Sequence, residues 1–171
     1  SITFDYTAGG FPIPGAVSPR ADVRGDTAPN SILSYSGTGT AITMAGSAAG
    51  LAGQGVYSLD RLSNFTLLDY AAAKSNSGIY LQRKEFFKLE NINIHYMQTA
   101  LQLASWFSSK LENINIVNCT TGIELSDAGD GACNAIQIDR AELQGCSSYG
   151  IVAPGSPTGC GDANSFKNCS V

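Results

Sequence analysis

Charge is scarce in this chain of 171 residues. Only 14% of it is Asp, Glu, Lys or Arg, and the formal balance is −4 with a pI near 4.8. No basic stripe is available to neutralise phosphates, which excludes a nucleic-acid partner. The same balance suits an acidic polysaccharide poorly unless a local basic patch exists. There is one histidine, His95, which falls at an outward strand position with nothing around it to complete a Ser-His-Asp triad. No apolar run approaches the ~18–20 residues of a membrane span, so no membrane insertion is expected. No secretory or lipidation signal is present. No Cys-x-x-Cys or Cys-His spacing suggests zinc. The glycine-rich stretch Gly46–Gly55 lacks the Lys-Ser/Thr ending of a phosphate loop. The reading therefore includes no metal and no cofactor.

What is present is repetition. Residues 89–94 read LENINI, and residues 111–116 read LENINI again, 22 positions later. At the same interval Ala100-Leu-Gln-Leu103 returns as Gly122-Ile-Glu-Leu125. Upstream, Leu62–Leu67 and Gly78–Leu81 have the same shapes; downstream, Ile138–Leu143, Phe166–Val171 and Gly150–Ala153 continue them. The first series starts at 62, 89, 111, 138 and 166. A unit of 22 to 28 residues is too short for paired helices and fits one turn of a coil of short strands.

Within each copy the apolar and polar residues alternate. Phe65 and Leu67, Ile92 and Ile94, and Ile114 and Ile116 point inward around Thr66, Asn93 and Asn115. The other phrase places Ile79/Leu81, Leu101/Leu103 and Ile123/Leu125 inward and Tyr80, Gln102 and Glu124 outward. Between the leading Leu and the first Ile of LENINI the phase slips by one residue, so the chain bends there. Asn holds that bend in four of five copies: Asn64, Asn91, Asn113 and Asn168. Asn tolerates the left-handed conformation, and stacked copies predict an amide ladder. The fold class is all-β, a parallel β-solenoid. It is one segment over 1–171, with irregular Gly- and Pro-rich early coils over 1–55 and regular coils over 56–171. Both ends read as uncapped, which predicts a fragment of a larger protein.

The phrases LENINIVNC and TGIEL, with Asn at the turn, resemble the right-handed parallel β-helix of the pectate-lyase superfamily, and within it the bacteriophage tailspike proteins. Val23-Arg-Gly-Asp26 followed by Ser31–Thr43 looks like an early coil of the same superfamily. The resemblance implies a virion protein of the phage tail. It would bind bacterial surface polysaccharide, with hydrolysis as an open addition, and be a homotrimer in contact with other tail proteins. Two alternatives stand beside it. One is a secreted, extracellular enzyme of the pectate-lyase or polygalacturonase type, although the polygalacturonase phrases N-T-D, D-D and G-H-G are absent. The other is a non-catalytic structural or adhesive solenoid of a larger tail or surface protein.

Glycoside hydrolysis needs two carboxylates, about 5–5.5 Å apart for retention or 6.5–9.5 Å for inversion. The candidates are Glu124, outward on its strand, with Asp127 and Asp130 in the insertion that starts at the strand's end. Family glycosidases are built with acidic residues at such a loop base, as the resemblance implies. Tyr80 and Gln102 in the outward column, Arg83 along the same edge, and Trp106 as a sugar-stacking ring are the substrate-binding candidates; the alternative for Trp106 or Phe107 is a core plug. A second column, Glu90, Glu112, Asp139 and Lys167, brings like charges within ~4.8 Å and predicts raised carboxyl pKa values or a solvated edge.

There are five cysteines. Cys119 and Cys146 read as inward-stacked thiols one coil apart, and Cys133 with Cys160 is the pair for a disulfide if one forms. The sequons at Asn64, Asn118 and Asn168 fall in Asn-rich coils, where such matches arise easily.

Overall fold

The computed structural model describes residues 2–5, 22–24, 31–45, 61–69, 74–126, 133–153 and 164–171. In these the chain forms thirteen strands and no helix: β1 (Ile2–Asp5), β2 (Asp22–Arg24), β3 (Ile32–Tyr35), β4 (Thr40–Ala45), β5 (Arg61–Asp69), β6 (Ser77–Glu85), β7 (Lys88–His95), β8 (Thr99–Phe107), β9 (Lys110–Val117), β10 (Thr121–Ser126), β11 (Gln137–Gln144), β12 (Tyr149–Val152) and β13 (Ser165–Lys167). They build two parallel sheets. Sheet A runs β1-β4-β6-β8-β10-β12, and sheet B runs β13-β11-β9-β7-β5-β2, with β3 also on β5. From β4 onward successive strands belong to alternate sheets, and each pairs with the strand one repeat away. The chain thus winds through both sheets in turn, compatible with a parallel β-solenoid. β2 and β3 pair with the two halves of β5, so together they correspond to one bent strand.

The register is that of the sequence repeat. Leu89 pairs with Leu111, Ile92 with Ile114 and Ile94 with Ile116. In sheet A Ile79, Leu101 and Ile123 stack, as do Leu81, Leu103 and Leu125. All of these are buried in one continuous core. Burying a Leu or Ile side chain contributes about 1.5–3 kcal/mol, and every coil adds several. The Gly of the GIEL phrase has a steric cause. A Cβ on Gly78 would sit 2.4 Å from the Ala100 carbonyl oxygen, and one on Gly122 would sit 2.4 Å from that of Gly150.

Corners are made by left-handed residues in columns. Asn64, Asn91, Asn113, Arg140 and Asn168 bend the strands of sheet B, with φ between 52° and 61°. Arg83 and Ser105 bend sheet A in the same way, at φ 54° and 51°. Phe86, Ser108 and Ala135 turn the chain from sheet A to sheet B, and Tyr96, Asn118 and Gly145 turn it back. The predicted amide ladder is present: Asn91 Nδ2 donates to Asn64 Oδ1 at 2.9 Å, and Asn113 Nδ2 donates to Asn91 Oδ1 at 2.9 Å. Beside it Asn93 Nδ2 donates to Thr66 Oγ1 at 3.1 Å. All three sequon asparagines occupy corners, which is structural use enough for them.

Candidate functional site

The outer face of sheet A gathers four of the residues singled out in the sequence. Tyr80, Gln102 and Glu124 are in register on β6, β8 and β10. Their rungs are ~4.8 Å apart, and all three side chains are partly exposed. Gln102 Nε2 donates to Glu124 Oε1 at 3.0 Å. Arg83, three residues beyond Tyr80 at the corner of β6, is close enough to act on it. Burial raises the Tyr80 phenol above its ordinary value; the Arg83 guanidinium pulls it down and the Glu124 carboxylate pushes it up. The arrangement is a row of donors and acceptors: a phenol, a carboxamide and a carboxylate, with a cation at one side. Such a row can bind the hydroxyl groups of a polyol. Hydrolysis would need a second carboxylate facing Glu124; Asp127 and Asp130 lie outside the described residues.

Trp106 is placed otherwise than a sugar platform requires. It is fully buried, 5.5 Å from the Phe87 ring, and Nε1 has no partner among the described residues. No face of the ring is open to a ligand, so the core-plug alternative is the one realised. The cause is the corner at Ser105: a left-handed residue resets the alternation, and Ala104, Ser105 and Trp106 are all buried in succession. Lys84, the register partner of Trp106, is buried for the same reason. No side-chain signature marks this corner in sequence, whereas Asn marks its counterpart in sheet B.

The carboxylate column has the predicted register, Glu90 with Glu112 and Asp139 with both Glu112 and Lys167. The expected upward pKa shift is corrected. Glu112 is held below the ordinary carboxyl range: a hydrogen bond from Lys110 is the largest effect, burial opposes it, and the charges of Lys110, Lys88 and Arg140 each add a smaller downward pull. Two positions earlier in three of the repeats stands a cation: Arg61, Lys88 and Lys110 are in register, followed by Gln137 and Ser165. Arg61 and Lys88 pair with Glu90; Lys110, at 2.9 Å, Lys88, at 3.6 Å, and Arg140 pair with Glu112. The like charges are interleaved with opposite ones, which makes the column a structural edge.

Cys119 is buried, and Cys146 packs against the core one coil away; both are free thiols, as is Cys169. Burial pushes the Cys119 thiol up to about 11. Cys133 is a thiol too, buried with Sγ 3.1 Å from the Leu103 carbonyl oxygen, so the disulfide considered for it is not formed; Cys160 itself lies outside the described residues. His95 is half-buried, its ring 6.1 Å from that of Tyr96, and burial lowers its pKa. Among the described residues no three His, Cys, Asp or Glu side chains are grouped to hold a metal ion, and no helix is long and apolar enough to cross a membrane.

Compared with protein-family models, curated proteins and solved structures, the chain matches none.

Proposed function

We propose that this chain is a segment of a right-handed, tailspike-type parallel β-helix of a phage virion that binds bacterial surface polysaccharide along the outer face of sheet A. The observation that carries the reading is the in-register row Tyr80–Gln102–Glu124, with its 3.0 Å Gln102–Glu124 bond. Consecutive rungs ~4.8 Å apart are close to the length of one hexose unit, so a glycan lying along the solenoid axis meets a new polar side chain at each coil. The tyrosine adds a flat apolar face beside the polar groups. Homotrimeric assembly and contact with other tail proteins belong to the same proposal. Binding is the primary activity. Hydrolysis is the secondary one, and it assigns Glu124 as one carboxylate and Asp127 or Asp130 as the other.

The test is binding of capsule and lipopolysaccharide O-chain preparations from a panel of bacterial strains, with size analysis of the glycan after incubation. Wild-type protein is expected to retain one of these polysaccharides, and Glu124→Gln or Gln102→Ala to weaken retention about tenfold, the equivalent of 1.4 kcal/mol. Retention by both variants at wild-type strength sinks the site. Shortened glycan that disappears with Glu124→Gln, Asp127→Asn or Asp130→Asn establishes hydrolysis; unchanged glycan length leaves a binding module.

A further inference from the structure

The amide ladder of sheet B is interrupted, and the interruption is a groove. Asn64, Asn91 and Asn113 are linked rung to rung, but the next residue of the column is Arg140. Its guanidinium leaves the column to pair with Glu112. Asn168, one rung further, donates instead to Asp139 Oδ1 at 3.1 Å. The ladder therefore ends on an Asn113 Oδ1 that accepts no bond among the described residues. Around this break lies a cavity of about 450 Å3, lined among others by Asn113, Asn115, Arg140, Glu142 and Ser170, with Ile114 at its floor. That is within the roughly 300–1,000 Å3 of small-ligand sites.

The groups committed within the protein and those left over differ in kind. The two charged side chains of the groove are opposite in sign, Arg140 paired with Glu112 and Glu142 accepting at Oε1 from Gln144 Nε2 at 2.6 Å. The other uncommitted groups are neutral. The Asn115 amide, half-buried, has no hydrogen-bond partner among the described residues, and the Asn113 carbonyl and the Ser170 hydroxyl are likewise uncommitted. Carboxamides and a hydroxyl, with a small apolar floor and no net charge to offer, complement a ligand that both donates and accepts and carries no charge.

We propose that this groove is a second binding site, separate from the face of sheet A, for a short neutral saccharide. Its hydroxyls would bond Asn115, Asn113 Oδ1 and Ser170 across two or three coils. The proposal does not depend on the reading of sheet A, because the two sites share no residue.

The test uses a panel of short neutral oligosaccharides of glucose, galactose, mannose and N-acetylglucosamine, titrated against the whole chain by calorimetry. Asn115→Ala removes the uncommitted amide, which has no structural partner to lose. Arg140→Asn offers the ladder its missing rung, occupying Asn113 Oδ1. Expected is binding of at least one saccharide, weakened about tenfold or more by each of these two variants and unchanged by Glu124→Gln, with thermal stability preserved in Asn115→Ala. The proposal is overturned if no saccharide of the panel binds, or if Asn115→Ala and Arg140→Asn bind as the wild type does. It is equally overturned if binding is lost in Glu124→Gln alone. Sedimentation provides the remaining check: a native oligomer dissociated by either groove variant makes the groove a contact between chains, and the saccharide site is then wrong.

Discussion

Asn91 is the middle rung of the ladder, donating to Asn64 and accepting from Asn113, both at 2.9 Å, in a left-handed backbone with φ 52°. Its replacement by Gly removes both bonds and leaves the backbone free to keep its turn. These bonds are partly exposed, so each belongs in the lower half of the roughly 0.5–1.5 kcal/mol range for a net hydrogen bond. Asn91→Gly should therefore lose about 1–2 kcal/mol in bonds, while the added freedom of Gly in the unfolded chain, about 0.5–1 kcal/mol, is offset by relief of the left-handed backbone cost that Asn bears there. For a chain this long, each kcal/mol corresponds to about 2–4 °C in Tm. Asn113→Gly removes one bond only. The double variant loses no more bonds than Asn91→Gly does, because the bond between the two residues is shared. A thermal or urea denaturation cycle over the four proteins should then be non-additive by the value of that bond, about 0.5–1 kcal/mol, while the Gly entropy terms cancel. Additivity within about 0.3 kcal/mol would mean that the ladder is a consequence of the backbone bend and contributes nothing to holding it.

Three further outcomes follow from particular side chains. Glu112, whose folded pKa lies below its ordinary 4.5, contributes stability that is complete above that value and is lost as pH falls through the lower folded value; a pH series of Tm should be flatter at its acid end for Glu112→Gln, and added salt should shrink the difference. Trp106→Ala should cost about 3–5 kcal/mol, whereas Trp106→Phe should stay within about 1 kcal/mol of wild type, since the lost ring volume is offset by removing a buried N–H without a partner. The fluorescence of this single tryptophan should also be blue-shifted and unmoved by any bound glycan; a red shift with quenching on glycan addition would contradict its burial. Cys119, with its thiol at about 11, should resist alkylation at pH 8 until the protein unfolds, while the partly exposed Cys146 and Cys169 label in the native state; mass spectrometry of the labelled peptides reads both.

The parts of the fold legible in the sequence are those with a side-chain signature at a fixed interval. The 22-residue return of LENINI sets the register of β7 on β9, and the phase slip at Asn91 and Asn113 locates the bend. The row Tyr80–Gln102–Glu124 was legible for the same reason. The bend in sheet A was not. Arg83 and Ser105 have no chemistry in common, and nothing about either residue type announces φ near +50°. Without that bend, strict alternation from Leu101 and Leu103 places Ser105 inside and Trp106 outside, where an aromatic ring invites a sugar. The neutralisation of Glu90 and Glu112 is hidden differently. Their cations, Lys88 and Lys110, stand two residues earlier on the same face of the strand, so the carboxylate position of the repeat alone does not show them, and the same place before Asp139 holds Gln137.

Arg140 joins these two lessons. Among the bend residues of sheet B it is the exception to Asn, and an exception in a repeat invites dismissal as drift. Yet it keeps the left-handed backbone of its column, with φ 56°, while giving up the column's hydrogen bonds. Arg has no amide with which to stabilise that conformation locally, so the position carries the backbone cost of the corner without the compensation Asn provides elsewhere. What it provides instead is a guanidinium on Glu112 and an unfilled rung between Asn113 and Asn168. If stability alone shaped this column, Asn would be the better residue there, and Arg140→Asn should raise Tm or leave it level even though an exposed ion pair worth about 0–1 kcal/mol is lost. A clear fall in Tm would show that the Glu112 pair outweighs the ladder. A rise, with loss of saccharide binding, would place the reason for Arg140 in the groove it leaves open.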